Sequence, residues 1–356
     1  MTQPITASAS RVATQEIGGQ DVVLVYEDVQ AEYEALRRHA IVVDRSHRGR
    51  MRLFGEKSGD ALTGLVTSDV LALAPGQGQY AAALSAKGRI IADVRIFADV
   101  DSYLVDTSAR AWSNWSGMVR KYVNPRACGY RDDSHAVRDI GIFGADATRV
   151  ASIVAGVPAE TLASLAPYAH LTTTIADASV TVARVPDIGG DGFDLFVPLA
   201  AFDALWERAT AAGARPAGLD AWEIARVEAG RPEWGLDMDD TTIPQEANFE
   251  ELNAISFTKG CYIGQELVAR VHFRGHVNRH LRGVRAASSD APPPGAQLID
   301  EGGTHVGDVR SAAASPRLGG IALAMIRREV PPGASLTAKW ESGERRVDVA
   351  ALPFPA

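Results

Sequence analysis

The sequence is poor in cysteine, with only Cys128 and Cys261 among its 356 residues. Two thiols are too few for a disulfide framework, and they cannot form a cysteine-rich metal or iron–sulfur cage by themselves. Residues 1–16 also lack the basic and then apolar pattern of a secretory signal. We therefore expect a cytoplasmic protein with reduced thiols.

Long apolar runs and an excess of positive charge are absent as well. The longest apolar runs, Val22–Tyr26 and Ile321–Met325, have the length of strands, whereas a membrane-spanning helix needs about 18 or more apolar residues. The chain carries 36 basic and 44 acidic residues, which gives a formal net charge of −8. Such a surface repels anionic lipids and nucleic acids. We expect neither membrane association nor direct nucleic-acid binding.

Common catalytic signatures are missing too. The sequence has no Walker A loop, no His-Glu-x-x-His zinc motif and no Gly-x-Ser-x-Gly nucleophile elbow. A glycine-containing run at 302–307 lies among strand-like segments, which is the wrong context for a dinucleotide. These absences exclude the common nucleotide-binding, zincin and hydrolase classes.

The apolar content is sufficient for several cores, since 46% of the residues are hydrophobic. Alternating apolar residues over 79–107 predict three strands of a meander, and helical spacing predicts helices over 111–123 and 219–230. Short strand-like runs follow the turn-forming segment Ala291–Gly295 and are typical of a small barrel. Residues 1–20 are polar and small, and they predict a frayed lead-in. The mixture indicates an α+β fold class.

The most informative segment reads KGCYIGQE, at 259–266. Residues 265–272 predict a helix, so that Cys261 lies in the loop that enters it. Helix amides and the Lys259 ammonium would both lower the pKa of the Cys261 thiol and make a thiolate available near neutral pH. The alternative interpretation is that Cys261 is a small buried apolar residue.

This segment resembles the signature K-G-C-[YF]-x-G-Q-E of the YgfZ-type folate-binding proteins. Those proteins are paralogues of the glycine-cleavage T-protein, the folate-dependent aminomethyltransferase. Further segments resemble the same family, so that the similarity covers about residues 28–356. They are DRSHRG at 44–49, LSAKGRIIAD at 84–93, RVEAG at 226–230, IPQEAN at 243–248, ISF at 255–257, EGG at 301–303 and VGDV at 306–309.

The resemblance implies a T-protein-like architecture of three domains around a central hole that holds tetrahydrofolate. The first two domains are interleaved along the chain, and a small β-barrel is the last domain. The predicted domains are 1–48 with 134–229 for the first folate-binding-fold domain, 49–133 with 230–277 for the second α+β domain that carries KGCYIGQE, and 278–356 for the C-terminal barrel.

The resemblance also implies a function. YgfZ-type proteins are tetrahydrofolate-dependent helpers in assembling or repairing iron–sulfur clusters, notably those of radical enzymes that thiolate tRNA. Folate is then the expected ligand, and iron–sulfur proteins are the expected partners. Cys261 and Lys259 match the residues on which that role is thought to depend. The candidate folate-binding residues are Arg226, Asp191, Gln265 and Glu266.

Two positions depart from the T-protein pattern. The T-protein has an acidic group near the reacting folate nitrogen, associated with a V-N-x-x-x-R-E-K-D stretch, and the matching segment 105–113 ends on Ser113. A serine hydroxyl is a poor acid or base at neutral pH without an activating partner. The pterin-gripping glutamate of G-E-x-G-[YF] is replaced by Gly190, with Asp191 next to it. We therefore do not expect glycine-cleavage activity.

Two other functions stay open at this point. The first is a folate-dependent methyl or aminomethyl transferase that acts on a small substrate. The second is a non-catalytic adaptor whose folate site has decayed, which Gly190 favours.

A basic segment stands out in this acidic chain. One interpretation is charge compensation by the carboxylates at 237–251, and the other is an anion-binding patch beside Cys261 for the folate tail or an RNA-bearing partner. Histidines at 272, 276 and 280 have a spacing that could serve a metal, but Gly275 interrupts the helix and the arginines repel cations, so we expect no metal site. The basic residues are Arg270, His272, Arg274, His276, Arg279, His280, Arg282 and Arg285.

Overall fold

The computed structural model describes residues 12–355, which form nineteen strands and eight α-helices. The strands are β1 (Ala13–Ile17), β2 (Gln20–Val25), β3 (Ala40–Asp44), β4 (Gly49–Phe54), β5 (Gly78–Leu84), β6 (Ile90–Ala98), β7 (Ser102–Thr107), β8 (Gly129–Asp132), β9 (Val137–Phe143), β10 (His170–Ile175), β11 (Ala178–Arg184), β12 (Gly192–Pro198), β13 (Ala214–Pro216), β14 (Arg279–Ala286), β15 (Gln297–Ile299), β16 (His305–Ser315), β17 (Gly319–Arg327), β18 (Ser335–Trp340) and β19 (Gly343–Ala350). The helices are α1 (Val29–Arg38), α2 (Ser58–Leu65), α3 (Trp112–Tyr122), α4 (Ala147–Ala155), α5 (Ala159–Ala163), α6 (Phe202–Ala211), α7 (Leu219–Glu228) and α8 (Gln265–Arg274).

The strands form two large open sheets, a closed barrel and a hairpin. The larger open sheet has the order β10-β11-β12-β9-β3-β13, in which β3 and β13 are parallel. The smaller has the order β5-β6-β7-β4-β8 and is antiparallel. The barrel runs β14-β17-β16-β15-β18-β19 and closes between β19 and β14. The α+β class with a C-terminal barrel is thus confirmed, while the division into three domains stays a prediction.

The two faces of the larger sheet pack into different cores, as alternate residues of β3 show. Ala40 and Val42 pack with helices α4 and α6. Ile41 and Val43 belong to a core between the two large sheets, which includes Tyr80 of β5. This division follows from strand geometry, because successive side chains point to opposite faces. A third core, under α2 and α3, covers the other face of the smaller sheet.

Helix α7 joins the barrel to the core between the sheets. Ile224 and Val227 pack with α1 and with barrel strands. Trp222 and Ala225 face the core between the two large sheets. The helix ends before Gly230, whose φ of 67° is left-handed and suits glycine after a helix. The segment that follows α7 is therefore held between the barrel and the two sheets.

A buried cluster of arginines and aspartates joins the two large sheets. Arg95 of β6 donates to Asp106 of the neighbouring β7 at 2.6 Å, and to Asp194 of β12 in the other sheet at 2.6 Å. Arg45, in the turn after β3, contacts Asp187 at 3.0 Å and Asp194 at 3.2 Å. Arg95, Asp106 and Asp194 are almost completely buried. Each buried charge is therefore stable only because its ion-pair partners offset the loss of hydration.

The predicted frayed lead-in over 1–20 is wrong for residues 13–20. Residues 13–17 form β1, which pairs with β2 as an antiparallel hairpin. Gly18 and Gly19 have φ of 62° and 80°, the left-handed backbone that a two-residue turn requires. Residues 1–11 lie outside the described range.

The predicted helices and meander are confirmed, with small shifts at their ends. The meander consists of β5, β6 and β7, and the three predicted helices are α3, α7 and α8. None of the helices within residues 12–355 is long and apolar enough to cross a membrane.

We expect Arg95→Leu to destabilise the protein, because the substitution removes the cation shared by four carboxylates, those of Asp106, Asp139, Asp187 and Asp194. Removing one partner of a buried ion pair costs about 3–5 kcal/mol in the free energy of unfolding, which chemical denaturation followed by tryptophan fluorescence measures. The matched control is Arg149→Leu, since Arg149 contacts Asp146 at the surface and such pairs contribute about 1 kcal/mol or less. Equal, small losses in both variants would contradict the role given to Arg95.

Candidate functional site

A small cavity lies next to the buried ion cluster. Its wall comes from β5 and β6, from the segments before β10 and after β11, and from α7 with the turn that follows it. The wall mixes aromatic rings with charged groups. The lining residues are Arg48, Tyr80, Asp93, Arg95, Tyr168, Asp187, Trp222, Arg226, Arg231, Pro232, Glu233 and Leu252.

Most of the charge in the cavity wall is neutralised by ion pairs. Of the seven charged lining residues, only Asp93 and Arg231 form no ion pair with any residue that the structure describes. The other five are compensated. The pairs are Arg48 with Asp106, Arg95 with Asp187 and other aspartates, Arg226 with Glu223 and Asp237, and Glu233 with Arg110.

Asp93 has an unpaired carboxyl oxygen. The side chain lies on β6 and is buried, and its Oδ2 accepts a hydrogen bond from the Tyr80 hydroxyl at 3.0 Å. Its Oδ1 is buried and has no partner in the described part of the chain. Burial raises the pKa of Asp93 to about 6, against the opposing charge of Arg48. A carboxyl with this pKa can gain and lose a proton near neutral pH, as acid–base catalysis requires.

Two stacked tyrosines form hydrogen bonds with the two charged lining residues that have no ion pair in the described part of the chain. The ring centroids of Tyr80 and Tyr168 are 6.2 Å apart, with the rings nearly parallel. The Tyr168 hydroxyl accepts a hydrogen bond from Nη2 of Arg231 at 3.1 Å, and Nε of Arg231 donates to the Pro186 carbonyl at 3.1 Å. Burial raises the pKa of Tyr168 to about 12, so its hydroxyl stays protonated. Asp93 and Arg231 therefore sit at the hydroxyl ends of neighbouring tyrosines.

Arg226 lines the cavity, but its guanidinium is fully engaged. It donates to Asp237 at 2.7 Å, to Glu223 at 2.9 Å, to Ser311 of the barrel at 2.8 Å and to the Arg231 carbonyl at 2.5 Å. Burial acts to lower the pKa of Arg226, but the charges of Glu223 and Asp237 outweigh it and raise the pKa. Arg226 thus stabilises the turn after α7. Its direct contact with folate stays a prediction.

The sequence match places Ser113 at the position of the T-protein acid, and the structure places a different acidic residue in the cavity. Ser113 is exposed on α3 and does not line the cavity, whereas Asp93 does. Asp191 does not line the cavity either. It pairs with Arg184 at 2.8 Å, between β11 and β12, and its role in folate binding stays a prediction.

The KGCYIGQE segment forms an anchored loop before α8. The Lys259 ammonium donates to the backbone carbonyls of Thr63 at 2.5 Å, Val66 at 2.6 Å and Ser68 at 3.0 Å, which occupy its three donors. Burial lowers the pKa of Lys259 to about 8. Cys261 is exposed, so the interpretation as a buried apolar residue is wrong. Activation of its thiol by Lys259 stays a prediction.

Gln265 and Glu266 begin α8 and do not line the cavity. The Gln265 side chain accepts a hydrogen bond from the Tyr262 amide at 3.0 Å, which closes the loop onto the helix. Glu266 is exposed. A folate-binding role for either residue stays a prediction.

The basic segment is partly compensated by nearby carboxylates. Arg279 contacts Glu246 at 3.0 Å, and His272 contacts Glu250 at 3.3 Å. Arg270 is exposed, as is Arg274, and neither forms an ion pair within residues 12–355. The described chain contains no group of three or more His, Cys, Asp or Glu side chains able to hold a metal ion.

Of the twelve lining residues, only Arg226 was predicted as a site residue from the sequence; Tyr80, Asp93, Tyr168 and Arg231 are among those that were not. One signal was available for Asp93, because β6 places it between the buried apolar residues Ala92 and Val94. A charged residue inside a buried strand needs a polar partner or a ligand. The other three carry no local signal, since they meet only in the folded protein.

We expect the pH dependence of stability to change in Asp93→Asn. The pKa of Asp93 rises from 3.8 in the unfolded chain to about 6 in the fold, so the folded state binds more protons between these values and loses stability as the pH rises. The wild type should lose about 2–3 kcal/mol relative to Asp93→Asn between pH 4 and pH 7. Urea unfolding at several pH values measures this difference. Asp101→Asn, which removes an exposed carboxylate, is the control, and parallel curves for wild type and Asp93→Asn would refute the prediction.

Comparison with known proteins places the chain in a family. The profile described as GCVT N-terminal domain matches residues 6–257, and that of the glycine cleavage T-protein C-terminal barrel domain matches residues 279–355. Similar curated proteins include the aminomethyltransferase of Rubrobacter xylanophilus, 30% identical over 96% of this chain and 89% of that protein, and that of Nostoc sp., 30% identical over 87% and 82%. The crystal structure of glycine cleavage system aminomethyltransferase T from Bartonella henselae has the same fold, with a TM-score of 0.85 at 20% identity over 97% of this chain and 95% of that one. This chain belongs to the glycine cleavage T-protein family.

Proposed function

We propose that this protein binds tetrahydrofolate in the cavity and that Asp93 is the acid–base group for transfer of a one-carbon unit. The observation that carries the proposal is the buried, unpaired Oδ1 of Asp93 in a wall of aromatic rings. Buried polar atoms in folded proteins are nearly always hydrogen-bonded. An orphan acceptor beside a cavity therefore indicates a ligand that donates to it.

The cavity wall suits a reduced pterin in its chemistry. It includes the aromatic side chains of Tyr80, Tyr168 and Trp222, and ligand sites are commonly lined by such side chains. Its N–H groups match the orphan acceptor of Asp93. The buried indole nitrogen of Trp222 also has no partner in the described chain, so it is available as a donor to a pterin acceptor.

Tetrahydrofolate, when bound, supplies ring nitrogens that accept or release one-carbon units. Asp93 would hydrogen-bond such a nitrogen through Oδ1 and take or return its proton, while Tyr80 holds Oδ2 in place. With a pKa of about 6, the carboxylate form predominates at neutral pH and can accept the proton. Burial of the carboxyl keeps bulk water from competing for it.

The family supports the same proposal and points to a first substrate. Similar curated proteins are named aminomethyltransferase, so an aminomethyl group is the first one-carbon unit to test. Ser113 is a poor acid or base, and Asp93 would supply the acid–base group for such chemistry. Gly190 still departs from the T-protein pattern. The identity of the molecule that donates the one-carbon unit is therefore a separate question.

Tetrahydrofolate should bind the wild type with a Kd of about micromolar size, measured anaerobically by equilibrium dialysis. Asp93→Asn should lower the rate of one-carbon transfer to labelled tetrahydrofolate by about 10²–10⁴-fold, since it removes the acid–base group. Its Kd should change by less than about tenfold, because Asn keeps a hydrogen-bonding side chain of the same size. Asp101→Asn is the charge-matched control.

Absence of tetrahydrofolate binding at millimolar concentration would overturn the proposal. The adaptor with a decayed folate site would then be the better interpretation. Normal transfer by Asp93→Asn would leave folate binding intact but remove Asp93 from the chemistry.

A second candidate function is support of iron–sulfur cluster assembly or repair and, through cluster enzymes, of tRNA modification, as in YgfZ-type proteins. The observation that favours it is the exposed Cys261, presented on a loop that Lys259 fastens to the end of α2. Cys261 does not line the cavity, so a role for its thiol lies at the surface. Iron–sulfur proteins are the proposed partners for that role.

Cys261→Ala tests the second candidate separately from the first. In cells whose iron–sulfur enzyme activity depends on this protein, the variant should fail to restore that activity, because the exposed thiol is lost. Its Kd for tetrahydrofolate should match the wild type. Thr258→Ala, at an exposed position of the same loop, is the matched control, and full restoration by Cys261→Ala would exclude a thiol-dependent role.

A further inference from the structure

A basic face lies at the surface, outside the cavity, and neither proposed function uses it. It consists of four arginines whose side chains are exposed and form no ion pair within the part of the chain that the structure describes. Two of them belong to α8 and two stand at the end of β17. They are Arg270, Arg274, Arg327 and Arg328.

Carboxylates are scarce on the segments that carry this face. Residues 265–282 contain one carboxylate, Glu266, and residues 319–329 contain one, Glu329. The four arginines outnumber them. The basic face is therefore a positive region in a chain whose formal net charge is −8.

The two pairs of arginines belong to one continuous surface. The Arg328 amide donates to the Asn278 carbonyl at 3.0 Å, and Arg279 of β14 is paired with Arg327 of β17. Asn278 follows Arg274 by four positions, so their Cα atoms are at most about 14 Å apart. The end of α8 thus lies beside the end of β17.

Exposed aromatic rings adjoin the arginines of α8. Phe273 is 67% exposed. Its ring meets the His272 ring edge to face, with centroids 4.7 Å apart, and the His272 ring stacks on Phe257 at 3.6 Å. Residues three and four positions apart on a helix are neighbours, so Arg270, Phe273 and Arg274 lie on one side of α8. This side offers a ring surface between two guanidinium groups.

We propose that the basic face binds single-stranded nucleic acid, with Phe273 stacked on a base and the arginines in contact with phosphates. Charge complementarity calls for an anionic partner, and guanidinium groups fit phosphate oxygens through paired hydrogen bonds. The exposed ring favours a partner with unpaired bases, because every base has a face on which an aromatic ring can stack. The acidic side chains of a protein partner have no such face.

The net charge of −8 opposes an anionic partner at long range, and the expectation of no direct nucleic-acid binding followed from that average. At physiological ionic strength, charges more than about 8 Å apart are largely screened. The arginines that touch a phosphate therefore outweigh the distant carboxylates. The inference is independent of the folate cavity, so its test does not bear on the proposed function.

Fluorescence anisotropy of a labelled single-stranded RNA of about twelve nucleotides measures the binding over a range of salt concentrations. The same RNA annealed to its complement and a labelled glutamate-rich peptide of equal charge are the comparison ligands. The variants are Phe273→Ala and the double variant Arg270→Gln with Arg274→Gln. The matched controls are Phe54→Ala and Arg126→Gln, which remove exposed side chains of β4 and of the segment before β8.

The single strand should bind the wild type more tightly than the duplex or the peptide. Phe273→Ala should weaken its binding about five- to 150-fold, the loss expected for one stacked ring, without changing the salt dependence. The double variant should reduce the slope of log K against log salt by about 0.7 for each arginine. The controls should bind like the wild type, and unchanged unfolding midpoints would show that all variants are folded.

Three results would overturn the inference. If the peptide binds as tightly as the RNA and Phe273→Ala has no effect, the face serves an acidic protein. If the duplex binds as tightly as the single strand, the face makes no contact with bases. If no RNA binds even at low salt, the arginines are only solvated.

Discussion

The charge network centred on Arg95 is the interaction on which the rest of the structure depends. Its guanidinium reaches a carboxylate of each large sheet, Asp106 in one and Asp194 in the other. Apolar packing is non-directional, whereas charged hydrogen bonds of an arginine have fixed geometry. We infer that the network sets how the two sheets face each other more than it adds net stability, because burying these charges is costly.

The same network determines the character of the cavity. Arg95 and Asp187 belong both to the network and to the cavity wall, so the charges in this part of the wall are paired. Asp93 and Arg231 are the two charged lining residues that form no ion pair within residues 12–355. A preorganised wall with a few unsatisfied polar groups is what a ligand site requires.

Much of the fold could be predicted from local patterns, and the cavity could not. The meander and α7 follow from apolar periodicity, and the family follows from several ordered motifs. β1 was missed because only Ile17 of its five residues is buried, so the strand lacks an apolar pattern. The cavity residues come from β6, from the segment before β10 and from the turn after α7, and only the packing of the sheets brings them together. Ser113, which the sequence match placed at the position of the T-protein acid, lies outside the cavity, whereas Asp93 lines it.

We propose that a reduced folate occupies the cavity and contacts Asp93 there. Hydrogen–deuterium exchange, measured by mass spectrometry with and without saturating tetrahydrofolate under anaerobic conditions, can locate the bound folate. We expect slower exchange in β5, in β6 and in residues 229–235, with unchanged exchange in residues 256–264. Protection confined to 256–264, or none at saturation, would contradict it.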